Sequence, residues 1–485
     1  MRLKEVILFS LFCVIFTACS AQLPSADSIT QNLPDSFNNT ALISIQNMES
    51  LDKDSQTKPQ TPLIPSEQIK LLFQDSTLHF LFDIALANNL DLQITNTRIL
   101  QAQAQLKSAF SELFPRVDGT LSANTSDSDE ARSRSYSSQM GATLSWEVDL
   151  FGRLRHSANA RASLYEKSLQ DLENAKITLL SDVATLYFTI LETHANIILT
   201  QENIIHYTDA LESTQLKVEN GLLDSTELFE KQDLLTNEQN ILESLKNLAQ
   251  ESQNALLILL DTNAIPQLSQ DSLLNLSKLL LNTKLALNNL PANTLLARPD
   301  IKAALFSLHA QIYNKANAKA SLFPIISISA NMSEILDSNT LASGNLAWQL
   351  ASSLSAPILN RTQLTQNYFL QDAILQESYL TLQKSLKSAF YEIENASFNT
   401  KSTLLQLDNS QKRLDNAQNY YEFSYHRHSV GLVDTLEHAL NSASFNNSKK
   451  SLNTAASENL KAFSMLYKAF GGDLNLHKES YANNQ

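Results

Sequence analysis

The sequence predicts a mainly α-helical chain with a transmembrane β part: internally duplicated long-helix coiled coils plus four β-strands per chain. Three observations carry that expectation. Helix breakers are scarce in the body, because five of 11 prolines (Pro24, Pro34, Pro59, Pro62, Pro65) crowd the first 65 residues and the whole chain has only 8 glycines. A turn-rich all-β body does not fit so few breakers. A seven-residue apolar step runs through two long segments, and four shorter segments switch to a step of two,. Several short motifs also recur at one nearly constant spacing,.

The N-terminus reads as an address. Arg2 and Lys4 precede an apolar run from Val6 to Phe16, the layout of a secretory signal over residues 1–18,. Phe16-Thr17-Ala18-Cys19 resembles the bacterial lipobox, which implies a covalent lipid on Cys19; Ser20 after it matches lipoproteins sent to the outer membrane. An ordinary cleavable signal with an incidental Cys19 thiol is the alternative. Residues 19–66, rich in Ser, Thr, Asn, Gln, Asp and Pro, read as the lipidated N-terminus and a flexible linker,. No later stretch of 18 apolar residues exists, so a membrane crossing by the body requires a barrel,.

The body is written twice. Leu113-Phe114-Pro115 returns as Leu322-Phe323-Pro324, an offset of 209 residues. Leu150-Phe151-Gly152-Arg153 is echoed by Ile358-Leu359-Asn360-Arg361, an offset of 208, and Gly221-Leu222-Leu223-Asp224-Ser225 by Gly431-Leu432-Val433-Asp434-Thr435, an offset of 210. The expected organisation is a first repeat over 67–270, a second over 271–475 and a polar tail at 476–485. Each repeat reads helix, strand pair, very long helix, tight turn, helix.

Between Arg153 and Gly221 lie 67 residues without Gly or Pro, and between Pro357 and Gly431 lie 73. Val183, Ile190, Ile197, Ile204 and Leu211 hold one heptad position in the first copy, with Leu172, Leu179 and Leu186 at its partner. Tyr379, Leu386, Ile393, Leu407, Leu414 and Tyr421 do so in the second, interrupted by Thr400, accompanied by Leu375, Leu382, Ala389 and Ala396. Sustained heptads predict coiled-coil packing of helices roughly 100 Å long. Gly221 and Gly431 supply the left-handed residue that stops each helix, and Asp224 and Asp434 cap the next.

The four strand segments alternate apolar and polar residues. Met140, Ala142, Leu144, Trp146 and Val148 form one series; Ile326, Ile328, Ala330 and Met332 another; Leu346, Trp348, Leu350 and Leu354 a third; Val117, Gly119, Leu121 and Ala123 a weaker fourth. Such strands match outer-membrane barrel strands, with Trp146 and Trp348 placed as an aromatic girdle. They also match an amphipathic sheet covering a soluble core. In lipid, four strands leave two unpaired edges, so the barrel reading requires several chains; three give a 12-stranded barrel.

Chemistry is absent from the sequence pattern. A net charge of −14 argues against nucleic acid as a partner,. Both cysteines, Cys13 and Cys19, precede the body, which excludes thiolate chemistry and Cys-ligated metals there,. A mean hydropathy of −0.18 is unlike a multi-spanning helical membrane protein,. No phosphate loop, metalloprotease helix or nucleophile elbow occurs, so no enzyme, metal or cofactor is expected. His426 and His428 lie two apart on a helix, point apart and read as a surface pair. Glu147 and Asp149, with Arg153 and Arg155 nearby, either flank a lumen or satisfy each other.

Two segments carry a family resemblance. Trp146-Glu147-Val148-Asp149-Leu150-Phe151-Gly152-Arg153-Leu154-Arg155 resembles the W-E-x-D-L-F-G-R-x-R signature of outer-membrane efflux lipoproteins, and Leu295-Leu296-Ala297-Arg298-Pro299-Asp300-Ile301 their L-L-x-R-P-D-I segment. Leu322-Phe323-Pro324, Pro357, Val430-Gly431-Leu432 and Phe470-Gly471-Gly472-Asp473 extend the likeness over roughly residues 70–475. The chain is thus similar to TolC/OprM-like outer-membrane factors. That resemblance implies a homotrimer: a 12-stranded barrel in outer-membrane lipid continuing into a 12-helix periplasmic tunnel. It further implies a gated duct that passively conducts small toxic compounds. Its partners would be a periplasmic adaptor (membrane fusion) protein, docking at Gly221, Leu222, Asp224, Val430, Gly431, Leu432 and Asp434, and an inner-membrane pump of RND type. A type I protein-secretion duct and a lipid-anchored structural coiled coil without a channel are the alternatives. Where relatives have Gly after the second strand exit, this chain has Asn360-Arg361-Thr362.

Overall fold

The computed structural model describes residues 42–44, 65–73, 75–128, 133–264, 284–286, 292–337 and 346–473. The signal, Cys19 and the polar tail lie outside the described residues. The described elements are β1 (Leu42–Ser44), α1 (Pro65–Leu72), α2 (Ser76–Asn88), α3 (Leu90–Ser111), β2 (Arg116–Ser128), β3 (Ser133–Val148), α4 (Arg153–Glu219) and α5 (Ser225–Leu260). Then follow β4 (Lys284–Ala286), a 3-10 turn at Ala292–Ala297, α6 (Pro299–Ala320), β5 (Ile325–Asp337), β6 (Leu346–Ser355), α7 (Arg361–Ser429) and α8 (Thr435–Ala469). The predicted order holds in both copies. α4 has 67 residues and α7 has 69, each unbroken as the heptads require.

Two compact units form, and each draws on both repeats. One comprises Asn96–Asp171 and Ile301–Ser385. Its sheet is antiparallel throughout, in the order β2-β3-β5-β6. Its helical part packs small residues: Ala158, Ala160, Ala303, Ala310, Ala318 and Ala320 are buried, which lets helix backbones approach closely,. Asn317 Nδ2 donates to the Arg153 carbonyl at 2.7 Å, and Lys315 pairs with Asp372 at 2.6 Å.

The other unit comprises the described residues up to Thr95, Leu172–Asp300 and Leu386 onward. It holds the large-residue core: Ile69 and Phe73; Leu78, Leu81 and Phe82 of α2; Leu180, Tyr187 and Phe188 of α4; Phe463, Leu466 and Tyr467 of α8 are almost fully enclosed. Each such side chain contributes about 1.5–3 kcal/mol by leaving water. Phe73 and Phe188 meet edge to face at 5.0 Å,. Asp75 caps α2 by accepting from the N–H groups of Thr77 and Leu78, and its second oxygen accepts the Tyr187 hydroxyl at 2.6 Å. Tyr467 donates to the Pro65 carbonyl at 2.8 Å, and burial pushes its phenol far above the ordinary tyrosine range.

Tyr187→Phe keeps the ring and removes the hydroxyl that Asp75 accepts. We expect a loss of roughly 1–3 kcal/mol, the range for a buried bond to a carboxylate, seen as a lower urea midpoint of the helical circular dichroism with no change in helix content.

Candidate functional site

The strand register puts all four predicted apolar series on one face of the sheet. Val117 pairs with Leu144, Leu144 with Ala330, and Ala330 with Leu350. Gly119, Ala142, Met332 and Trp348 form the next row on that face, and Trp146 and Ile328 another. Asp118, Thr143, Asn331 and Gln349 are opposite one another on the other face, as are Ser145 and Ser329. Leu121, Trp348, Leu350 and Leu354 each leave about two thirds or more of their surface open. Glu334, between Met140 and Leu346, and Ser352, beside Ile328, are polar interruptions of the apolar face; an open face otherwise so apolar is built to meet lipid or another protein.

The two tryptophans share that face and differ in environment. Trp348 is open, whereas Trp146 is half-buried and its ring N–H donates to the Leu113 carbonyl at 3.0 Å. Trp146 thereby anchors the end of α3 to the sheet. The residues that follow form a strand-to-helix clamp. Arg153 donates twice to Glu147, Nε to Oε1 at 3.0 Å and Nη2 to Oε2 at 2.7 Å. Asp149 accepts from the N–H groups of Leu154 (3.1 Å) and Arg155 (2.9 Å), so it satisfies the open start of α4,. Gly152 turns the chain at φ +76°, and Phe151 stacks on Phe323 at 4.8 Å. Glu147 and Asp149 therefore satisfy their own arginines and the helix start.

The second motif is a tie as well. Arg298 is buried; it clasps Asp300 through Nε and Nη2 at 3.0 and 2.7 Å, reaches Glu392 at 2.7 Å and donates to the Ala469 carbonyl. Gly471, at φ +66°, lies against Arg298 and Pro299, where an added Cβ would stand 3.0 Å from Arg298 Cγ. The 3-10 turn, α7 and the end of α8 are fastened together this way.

Both hairpin tips have the same hydrogen-bond geometry. Leu222 N–H reaches back to the Lys217 carbonyl at 2.8 Å and Gly221 N–H to Val218 at 3.0 Å; Leu432 and Gly431 do the same to Arg427 and His428, both at 2.9 Å. Gly221 and Gly431 stand at φ +68° and +76°,. Asp224 then accepts from Thr226 N–H at 2.9 Å and Asp434 from Glu437 N–H at 2.8 Å. Those backbone bonds hold both carboxyls below the usual carboxylate range, with Lys217 adding to the effect at Asp434. Lys217 and Asp434 form an ion pair that joins the first tip to the second. Leu222, Val430 and Leu432 project their side chains into solvent.

The outer membrane efflux protein family model matches residues 81–261 and 290–472. The chain belongs to that family. It is 30% identical to the solvent efflux pump outer membrane protein SrpC of Pseudomonas putida over 417 residues, 83% of this chain and 87% of SrpC. The Neisseria gonorrhoeae MtrE outer membrane channel in its open state superposes with a TM-score of 0.73 at 21% identity, over 91% of this chain and 99% of MtrE. The Campylobacter jejuni CmeC outer membrane channel gives 0.72 at 22% identity, over 88% and 93%. This chain is thus an outer-membrane efflux component. Among its described residues no group of three His, Cys, Asp or Glu side chains is arranged to hold a metal ion.

Sequence reasoning found the tips, the strands and both motifs. It missed Lys217, and it read His428 as a surface residue although its ring stacks on His438. The two rings stand three residues before and seven after Gly431, an unequal spacing from which the sequence alone gives no pairing.

Leu350→Arg places a charge in the middle row of the apolar face, where lipid opposes it by about 2–4 kcal/mol. We expect the assembled outer-membrane form, followed by heat-modifiable migration on gels, to fall sharply. Gln349→Arg, one residue away on the polar face, assembles normally.

Proposed function

We propose that three copies close one 12-stranded barrel in the outer membrane and continue it as a 12-helix periplasmic duct, through which small toxic compounds pass passively. The carrying observation is the four-stranded sheet: one face apolar and open, the other polar, with β2 and β6 as unpaired edges. The polar face would line a water-filled lumen, and residues such as Asn331 and Gln349 present hydrogen-bonding groups to it. No catalytic step is assigned to the chain. Acylation of Cys19 would add a second attachment beside the barrel.

The tips supply the periplasmic end of the mechanism. Exposed Leu222, Val430 and Leu432, held on rigid glycine turns, give a periplasmic adaptor an apolar surface to grip. An inner-membrane pump, of RND type, would supply the free energy through that adaptor. The likeness to SrpC, an efflux pump component, supports this reading over protein secretion and over a channel-free coiled coil.

Single-channel recording of the detergent-purified protein in planar bilayers, with its oligomeric mass measured on the same sample, tests the duct. A trimer with small gated conductance is expected; a monomer that never conducts overturns it. A deletion strain sensitive to dyes, bile salts and antibiotics, with protein secretion intact, separates efflux from type I secretion. A Cβ added at Gly431 meets nothing within 4 Å, so the leading effect of Gly431→Leu is conformational: about 1–2 kcal/mol of left-handed strain in the turn,. We expect lost export in a complementation assay while the trimer persists on native gels.

A further inference from the structure

We infer that the second hairpin tip carries a proton-operated release: His428 of α7 and His438 of α8 stack face to face, and uptake of a proton there parts the two helix ends joined at Gly431. The consequence for export rests on the proposed role of the tips as the periplasmic end of the duct. The rings of His428 and His438 are 4.4 Å apart and within 14° of parallel. Nδ1 of His438 is buried without a hydrogen-bond partner, so the site has no built-in acceptor for a proton there. Tyr421 and Tyr425 of α7 complete the wall, with ring centroids 6.0 and 5.9 Å from His438. Stacking of neutral rings is favourable, whereas two stacked imidazolium ions repel in a partly desolvated site.

The surrounding charges set the direction. Burial holds the His438 imidazole below its ordinary range, and His428 and His206 lower it further. Burial also lowers His206; Asp209 and Glu202 on its own helix oppose that, and Lys449 of α8 reinforces it. Asp434, one turn before His438, is committed to the Glu437 N–H and to Lys217. His426 turns away, edge-on to Tyr425. A histidine whose pKa is lowered in the packed state stabilises that state above the free imidazole range. The contribution is lost as pH falls below that range, because the parted tip binds protons more readily. Acid therefore loosens the tip and neutral pH holds it packed.

Amide hydrogen exchange of residues 424–442 in the full-length, detergent-solubilised protein tests this, compared at pH 7.5 and 5.5 after normalising to the intrinsic rate at each pH. Protection is expected to fall several-fold at pH 5.5. His438→Phe, which keeps a stacked ring without a titrating nitrogen, and His428→Gln should each abolish that fall, and single-channel opening should track it. Equal protection at both pH values, or a fall that persists in both variants, overturns the inference. Exchange that responds while conductance stays flat supports the release and counts against the tips as the gate, so the two readings fail separately.

Discussion

Backbone hydrogen bonding at the sheet edges constrains everything else in this protein. β2 and β6 each present one unpaired side within the protomer. In water that side is solvated, but in hydrocarbon each unsatisfied group costs several kcal/mol. The remedy is closure by further copies, and the strand count makes it geometrically possible. The sheet is antiparallel at every step and has four strands, so β2 and β6 run in opposite directions. The β6 of one copy can therefore pair antiparallel with the β2 of the next, all the way round. An odd number of strands per protomer would put parallel edges together at each junction.

The family's signature residues transmit that constraint to the helices. In the first repeat a strand must become a 67-residue helix within four residues, and the clamp of Glu147, Asp149, Arg153 and Trp146 fixes how it does so. The second repeat makes the same transition with less. Ile358 and Leu359 are exposed, the Leu364 N–H bonds the Asn360 carbonyl, and no non-Gly residue there adopts positive φ. The duplication has kept the path of the chain while only one copy kept the clamp. These motifs serve as joints, which is why no reactive chemistry could be read from their charged residues.

Much of the fold was legible because its signals are local and periodic. Heptads gave α4 and α7, alternation gave four strands, and Gly-x-x-Asp gave both tips. Register was not written in any single strand, yet it unified them: the apolar series align on one face only once Leu144 is paired with Ala330. What stayed hidden needed partners distant in sequence. Tyr187 meets Asp75, Lys217 meets Asp434 and His428 meets His438. The arrangement of compact units was hidden for the same reason. Repeats are contiguous in sequence, but each unit takes part of both, since the long helices of each repeat leave one unit and continue into the other.

The heptad series also masked a gradient along α4. From Ile177 to Leu191 its buried residues are mostly large and apolar, among them Val183, Tyr187, Phe188 and Ile190, whereas toward the tip Asn196, Thr200, Asn203 and Thr214 are buried with only Ala195 and Ala210 as apolar company. The partners there are polar too: Asn203 bonds Glu238 and Asn447, Asn453 bonds Asn196, and Lys450 pairs with Glu238 at 2.6 Å. Separating an apolar seam exposes its full area to water, whereas a polar seam exchanges protein partners for water at a smaller net loss. Opening should therefore become progressively less costly from the aromatic core toward the glycine turns. The proposed duct would part its tips and yet stay assembled, which such a gradient permits, and α4 carries it in the residues that interrupt its apolar stripe.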